Sequence, residues 1–339
     1  MRRASIWRQS RPFSRLGRAL RRGAILALIA IGVVVAAATT AIAYFVPWLP
    51  EQASEERGRI DAVFWITTAI CIFVFAVVAA VSIYAGVKFR VRPDDDSDGP
   101  PIHGHTGIEI VWTVVPTILV AIILVASTIA LGRNDRPNGI PLRVDVLAQQ
   151  FAWQFTYPEQ GNVVATNLYL PVGRSTRLVL QARDVIHSFW VPEFGQKQDA
   201  VPGITTTVIV TPTRTGEYRL ICTELCGLGH ALMRTRAIVL SQGEFDAWAA
   251  ERQEALGTGG DEDADEGEQV FASAGCGGCH IFEPAGGTGN VGPPLDDLEL
   301  SPEETEQVIR HGRDGMPAFG DQLTDAQIDA LVQYLTEQR

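Results

Sequence analysis

Cys222-Thr-Glu-Leu-Cys226-Gly-Leu-Gly-His230-Ala-Leu-Met233 gathers two thiols, an imidazole and a thioether into twelve residues. Donors this soft suit copper or zinc, and a thioether points away from zinc and toward copper. Two cysteines four apart in a folded-back loop can both bridge a pair of metal ions. A mononuclear blue copper site instead needs one cysteine, two histidines and a weak axial methionine. The donor count therefore favours a binuclear copper centre. Three other readings fit the same loop: a Cys222–Cys226 disulfide, a Cys2His2 zinc site completed by His187 and His230, or two buried thiols. Methionine usage sides with copper. Of the three methionines, Met1 aside, Met233 lies in this loop and Met316 beside a second redox motif.

That second motif is Cys276-Gly-Gly-Cys279-His280, the Cys-x-x-Cys-His sequence of c-type haem attachment. Two thiols must reach the two vinyl groups on one edge of the porphyrin while the adjacent histidine coordinates iron, and the spacing serves that need. Cys276 and Cys279 are read as the thioethers and His280 as the proximal ligand. Met316, in Asp314-Gly-Met-Pro-Ala-Phe319, is the candidate for the sixth position, with His311 as its rival. Ser301-Pro-Glu-Glu304 and Thr324-Asp-Ala-Gln327 carry capping-box signatures for two helices. Gly312 is placed to end the first, and Ile328, Leu331, Val332 and Leu335 form an apolar stripe on the second.

The copper loop closely resembles the CuA loop of subunit II of the haem-copper cytochrome c oxidases, and His187 in Asp184-Val-Ile-His-Ser-Phe-Trp190 matches the upstream histidine of that family. The resemblance implies bridging thiolates from Cys222 and Cys226 and terminal ligands from His187, His230 and Met233. It also implies a backbone carbonyl ligand from Glu224, whose carboxylate in the family faces a magnesium or manganese site at the subunit interface. Gly315-Met-Pro317 resembles the methionine loop of class I cytochromes c. The likeness runs over nearly all of the chain from about residue 58, and points to the branch of subunit II in which a cytochrome c is fused to the subunit.

Composition places part of the chain in a membrane. The chain has 339 residues, 46% of them hydrophobic, and a formal net charge of −11. Eight of its 28 basic residues and none of its 39 acidic ones lie in residues 1–22. A nucleic-acid-binding function is thereby excluded, and the acidic remainder reads as a solvated surface. Ala24–Pro50, Ala62–Val87 and Ile110–Gly132 contain no charge, and each exceeds the ~20 residues a helix needs to cross a bilayer. The arginine-rich flank and Ala41-Ile-Ala43 make residues 1–43 a signal peptide or a further N-terminal membrane helix. With the arginines held in the cytoplasm, everything after Gly132 lies outside it. The expected setting is a bacterial cell membrane.

The domain plan is therefore 1–43, then a transmembrane helical hairpin over 44–132 with helices at about 62–87 and 109–131. From 133 to 256 the expected fold is an all-β cupredoxin-like Greek key. Its short runs of β-branched and aromatic residues, such as 163–170, 176–181, 204–211, 217–221 and 235–240, are bounded by glycine, proline and asparagine. The Cys222–Met233 loop should join two late strands and meet His187 from an earlier one. A short helix over 244–256 follows, capped by Ser241 and Glu244. A flexible linker at 257–267 then leads to an all-α cytochrome c domain at 268–339.

Two further sites follow from the resemblance. Glu109, at the start of an apolar helix, matches a glutamate at the cytoplasmic mouth of a proton-uptake path; the alternative is a carboxylate favoured by the helix dipole. In Gln150-Phe-Ala-Trp-Gln-Phe-Thr-Tyr157, Phe151 stands where the family has the tryptophan that receives electrons from soluble cytochrome c, and Trp153 matches the next tryptophan. The expected role is transfer of electrons from an external donor, through haem c and CuA, to subunit I, where oxygen is reduced with proton translocation. Subunit I, subunit III, the donor and the lipid bilayer are the partners implied. The alternatives are the copper subunit of a nitric oxide reductase and, from another class, a membrane-bound copper carrier or assembly protein, which would have no use for Cys276-x-x-Cys279-His280.

Overall fold

A computed structural model of the chain describes residues 15–90, 104–257, 262–289 and 291–338. The first arginines, the charged crossing at 92–101 and residues 258–261 of the linker lie outside the described residues. Three helices, α1 (Arg15–Phe45), α2 (Glu55–Lys88) and α3 (Thr106–Asn134), are long and apolar enough to cross a membrane. Both α2 and α3 outrun the uncharged stretches that announce them. Glu55 and Glu56 open α2 and Lys88 ends it, charges that complement the dipole at each terminus and let the helix run past the apolar segment.

The described residues within 1–49 and 62–127 form one compact unit, and those within 50–61 and 128–339 another. In the helical unit, Gly32 of α1 sits against α2, where a Cβ would lie 3.7 Å from the Ala80 methyl. Small residues at this crossing let the backbones approach closely.

The second unit holds a β-sandwich. Its strands are β1 (Leu142–Gln149), β2 (Ala152–Tyr157), β3 (Val163–Ala165), β4 (Leu168–Pro171), β5 (Thr176–Ala182), β6 (His187–Trp190), β7 (Lys197–Ala200), β8 (Thr206–Val210), β9 (Gly216–Cys222) and β10 (Arg234–Leu240). One sheet has the order β3-β2-β1-β5-β8 and the other β4-β10-β9-β6-β7. Parallel pairings of β1 with β5 and of β4 with β10 make the crossovers of a Greek key. Period-two alternation drives the assembly: Leu142, Val144, Val146 and Ala148 on β1 point inward, as do Leu178 and Leu180 on β5. Each such side chain contributes about 1.5–3 kcal/mol when fully buried. On β2 the same alternation buries Trp153, Phe155 and Tyr157.

Beyond β10, α4 (Gln242–Gly257) starts where Ser241 and Glu244 exchange capping hydrogen bonds. It lays Phe245 and Trp248 over Tyr157 and Tyr169, with Trp248 stacked on Tyr169 at 4.2 Å between ring centroids. Residues 50–61 pack on the opposite region of the sandwich. Glu56 accepts the Thr211 amide at 2.9 Å, and the buried Arg57–Asp61 pair closes to 2.7 Å beside the Pro192 carbonyl that Arg57 also contacts.

The last module contains α5 (Glu262–Ser273), a two-residue strand pair β11 (Ile281–Phe282) and β12 (Gly287–Thr288), α6 (Pro302–His311) and α7 (Asp325–Glu337). Residues 262–267, read above as linker, are helical, because the acidic run leads directly into the amphipathic turn that buries Val270 and Phe271. Both capping boxes form, at Ser301/Glu304 and at Thr324/Gln327. The helix stop at Gly312 takes a positive φ of 71°, and a side chain there would collide with the Met316 carbonyl.

Tyr157 is the most exacting polar group in the sandwich core. Its buried hydroxyl donates to the Tyr169 carbonyl at 3.0 Å and accepts the Tyr169 amide at 2.6 Å, bridging the two sheets. Tyr157→Phe should therefore lower stability by about 1–3 kcal/mol, since it strands a buried donor. Denaturant unfolding of the full chain in detergent, followed by tryptophan fluorescence, measures this.

Candidate metal centre

Strand pairing assembles the centre. β9 and β10 are antiparallel neighbours, and the twelve-residue loop folds back between them where the Cys222 amide donates to the Met233 carbonyl at 3.1 Å. β6 lies on the other side of β9, with Phe189 opposite Cys222, which brings His187 across 35 residues of sequence. The Thr223 amide donates to Ser188 at 2.9 Å and fixes the loop's first turn. His230 opens a short 3-10 turn, His230–Leu232, so its ring faces back toward Cys226.

All the donors expected from the sequence converge. The Cys222 and Cys226 sulfurs are 4.0 Å apart, about twice an S–S bond of ~2.05 Å, and both cysteines are free. Cys222 lies 4.0 Å from Nδ1 of His187 and 3.3 Å from the Glu224 carbonyl. Cys226 lies 3.5 Å from Nδ1 of His230 and 3.8 Å from Sδ of Met233. Among the described residues, His187, Cys222 and Cys226 form the one cluster of three or more histidine, cysteine or acidic groups placed to hold a metal ion. Each sulfur thus has its own pair of neighbours. A buried thioether beside two thiols and two imidazoles fits copper, and six donors, two central sulfurs with four others around them, fit two ions better than one.

The surroundings orient these ligands. Asp184 Oδ1 meets Nε2 of His187 at 2.8 Å, which turns Nδ1 toward the sulfurs. Burial alone would depress the His187 imidazole, but the Asp184 carboxylate and the Cys222 thiol raise it to about 9. Burial works against the Asp184 carboxylate too, yet His187 and the amides of Gln150 and Val185 hold it below its ordinary range. Of the two thiols, Cys222 is shifted down by His187 and neighbouring amides despite burial, and Cys226 is shifted up by burial and by Cys222. Metal loading must therefore displace protons from this cluster.

Asp184 and Gln150 are the functional residues that sequence reading leaves without a role. The Gln150 amide donates to Asp184 Oδ2 at 2.7 Å, and its side-chain Nε2 donates to the carbonyl of Cys226. An acid three residues before a ligand histidine is a usable signal for the first; nothing local marks the second.

The other candidate residues are placed as follows. Phe151 lies in the β1–β2 turn and not on the strand, its ring against the backbone of Gly227 and Gly229 in the copper loop. Trp153 is buried edge-on to His187 at 6.3 Å between ring centroids. Glu224 has an exposed side chain. Glu109 sits in the first turn of α3 and accepts the His105 amide at 3.0 Å, a helix-terminus contact. In the last module, Nδ1 of the buried His280 donates to the Pro293 carbonyl at 2.8 Å, leaving Nε2 as the free donor atom. Burial, only partly offset by that carbonyl, keeps the His280 ring below its ordinary pKa. Gly292 lies so close to this ring that no side chain fits. Cys276 and Met316 both pack against the module's core, and burial pushes the Cys276 thiol up to about 12. His311, the rival of Met316, is exposed, with Nδ1 bonded to the Gln307 carbonyl of its own helix.

Comparison with known proteins matches three consecutive regions. Residues 48–129 match the family described as cytochrome c oxidase subunit II, transmembrane domain, and 162–241 the periplasmic domain of the same subunit. Residues 262–335 match cytochrome c oxidase, cbb3-type, subunit III. Cytochrome c oxidase subunit 2 of Alkalihalophilus pseudofirmus is 36% identical over 285 residues, covering 76% of this chain and 81% of that protein. The subunit 2 of Synechocystis sp. is 30% identical, covering 67% and 82%. Among solved structures, the periplasmic domain of subunit II of cytochrome oxidase from Bradyrhizobium japonicum aligns at 27% identity with a TM-score of 0.34, over 35% of this chain and 99% of that one. Together with these matches, three apolar helices, a β-sandwich whose five-donor loop meets a sixth donor from β6, and a Cys-x-x-Cys-His module place the chain, a membrane protein, in the cytochrome c oxidase subunit II family, with a cytochrome c domain following the copper domain.

Proposed function

We propose that the chain accepts electrons from an external donor at its tethered cytochrome c module and passes them, through its copper loop, to subunit I of the oxidase. Oxygen would be reduced to water there, coupled to proton translocation. The observation that carries this is the convergence of six soft or carbonyl donors, five from Cys222–Met233 and His187, on the same domain against which the Cys276-x-x-Cys279-His280 loop is packed. His187, Cys222, Cys226, His230, Met233 and the Glu224 carbonyl would hold the copper pair. Cys276 and Cys279 would tether haem, with His280 and Met316 on its iron. Copper and haem held this way supply one-electron redox chemistry.

The chain's own residues prepare that chemistry. Asp184 fixes the His187 tautomer and ring, Met233 and Trp153 exclude water from one side of the loop, and Pro293 leaves Nε2 of His280 as the free ring nitrogen. Around the loop, Ile186, Leu225, Leu228 and Leu232 are exposed, an apolar rim that we assign to the contact with subunit I. Glu224, with its carboxylate free at that rim, is the residue for a magnesium or manganese site at the interface. Subunit III would complete the complex. Glu109 would serve proton uptake at the cytoplasmic end of α3. The β-sandwich and the cytochrome module would stand on the extracytoplasmic side of a bacterial cell membrane.

Two substitutions test the reading. Cys226→Ser in the assembled oxidase should abolish the mixed-valence copper signal and oxygen consumption while leaving haem c absorbance intact; oxidase activity equal to wild type would refute the copper assignment. Asp184→Ala should keep the ligands but release the His187 ring, weakening copper retention against a chelator by about 10–100-fold.

A further inference from the structure

We infer that the Gln149–Ala152 turn is the strut that sets the spacing between the copper loop and the haem-attachment loop, with Gln149, Gln150 and Ala152 as its positioning residues. The inference rests on the functional reading above and adds what fixes the geometry between its two sites.

On the copper side, Gln150 is fully engaged: its amide on Asp184, which holds His187, and its side chain on the Cys226 carbonyl. The Phe151 ring closes this side, only 2.5 Å from where a Cβ on Gly229 would stand. On the haem side, Gln149 Nε2 donates to the Ala274 carbonyl at 2.9 Å, just before the first haem cysteine. The Phe151 amide faces the Cys279 sulfur. Ala152 shows why this is an interface and not a chance contact. It begins β2 on the face opposite Trp153 and takes no part in the sandwich core, yet it is 3% exposed, because the haem loop covers it. The approach is so close that a Cβ on Gly278 would lie 2.7 Å from the Ala152 methyl. A second glycine, Gly277, lies against Thr166, and Arg183 reaches Gln322 at 3.2 Å.

The strut is rigid for a local reason. Gln149 and Ala152 are register partners that close the β1–β2 ladder, so both ends of the turn belong to one sheet. Contacts to the two loops leave from adjacent residues, with no glycine-rich segment between them. The spacing is therefore a property of this interface, and the glycine- and acid-rich stretch after α4 serves only as a tether. The turn's outer face is occupied by the chain's own cytochrome module, so a separate donor protein has to deliver its electrons to that module.

The test uses the full chain in its oxidase, loaded with haem and copper. Two readouts apply: the dipolar separation of the two paramagnetic centres by pulsed electron-spin resonance, and amide hydrogen exchange over 149–152 and 274–280. A Gly-Ser insertion within residues 258–261 should leave both unchanged. Ala152→Leu, which wedges the interface without touching the haem-attachment sequence, should lengthen and broaden the separation. Gln149→Ala should speed exchange over 274–280 by about fivefold, the population change that one net hydrogen bond allows. Copper hyperfine structure and haem absorbance should stay as in wild type in each variant. A separation that follows the linker insertion, or one unmoved by Ala152→Leu, overturns the strut. Wild type lacking copper or haem signals would sink the functional reading instead, and hydrogen exchange, which needs neither group, would still decide the interface.

Discussion

The pairing of β6 with β9 is the constraint on which the copper centre depends. Only two register pairs are involved, Phe189 with Cys222 and Trp190 with Ile221, yet they bring a histidine from the middle of the chain to a loop 35 residues later. A one-residue slip would send every β6 side chain to the opposite face and carry His187 away from the sulfurs. The register is protected by what lies on either side of it. Phe189 is buried against Trp153, Ser188 bonds Asp199 on β7 at 2.7 Å, and the loop amide of Thr223 bonds the Ser188 carbonyl. The large aromatic core and the candidate metal site are in this sense one structure, since the residues that bury apolar area also hold His187 in place.

The cytochrome module solves a different problem with fewer residues. Its core is a single cluster built from α5, α6, α7 and the loop after the second cysteine, and a domain this short lacks the surface to bury much more. Backbone approach replaces bulk. Gly267 sits under Tyr334, Gly292 under His280 and Gly278 against Ala152, each at a distance no side chain could tolerate. Strong local signals compensate for the small core: two complete capping boxes, a proline in the first turn of α6 and a glycine stop at its end.

Much of this was legible in the sequence because the relevant signals are local. Metal donors within twelve residues, a Cys-x-x-Cys-His pentapeptide, capping boxes and uncharged stretches are all set by near neighbours along the chain. The alternating aromatics of β2 were readable for the same reason. Phe151 was the exception: its neighbours alternate, but it lies in the turn before the strand begins. The helical start of α5 was hidden by composition, since glycine and acid before it look like linker until the tertiary contacts of Val270 and Phe271 are known. The roles of Gln149 and Gln150 were illegible in principle. They face residues 76 and 125 positions away, and a glutamine at the end of a strand has no pattern that announces a partner at that range.

The copper loop also shows why a sandwich carries such a site. Two thiols, two imidazoles and a thioether are crowded together here, and they shift one another: His187 is raised, Cys222 lowered and Cys226 raised in a volume that excludes most water. Backbone hydrogen bonds of β6, β9 and β10, which lie outside the ligand set, frame it. The donor atoms of His187, Cys222 and Cys226 lie within 4.8 Å of one another, placed by that strand pairing together with the hydrogen bonds of Asp184 and Gln150. Donor geometry fixed by the fold in this way need not be assembled anew when a ligand is held, which is what preorganisation of a site means.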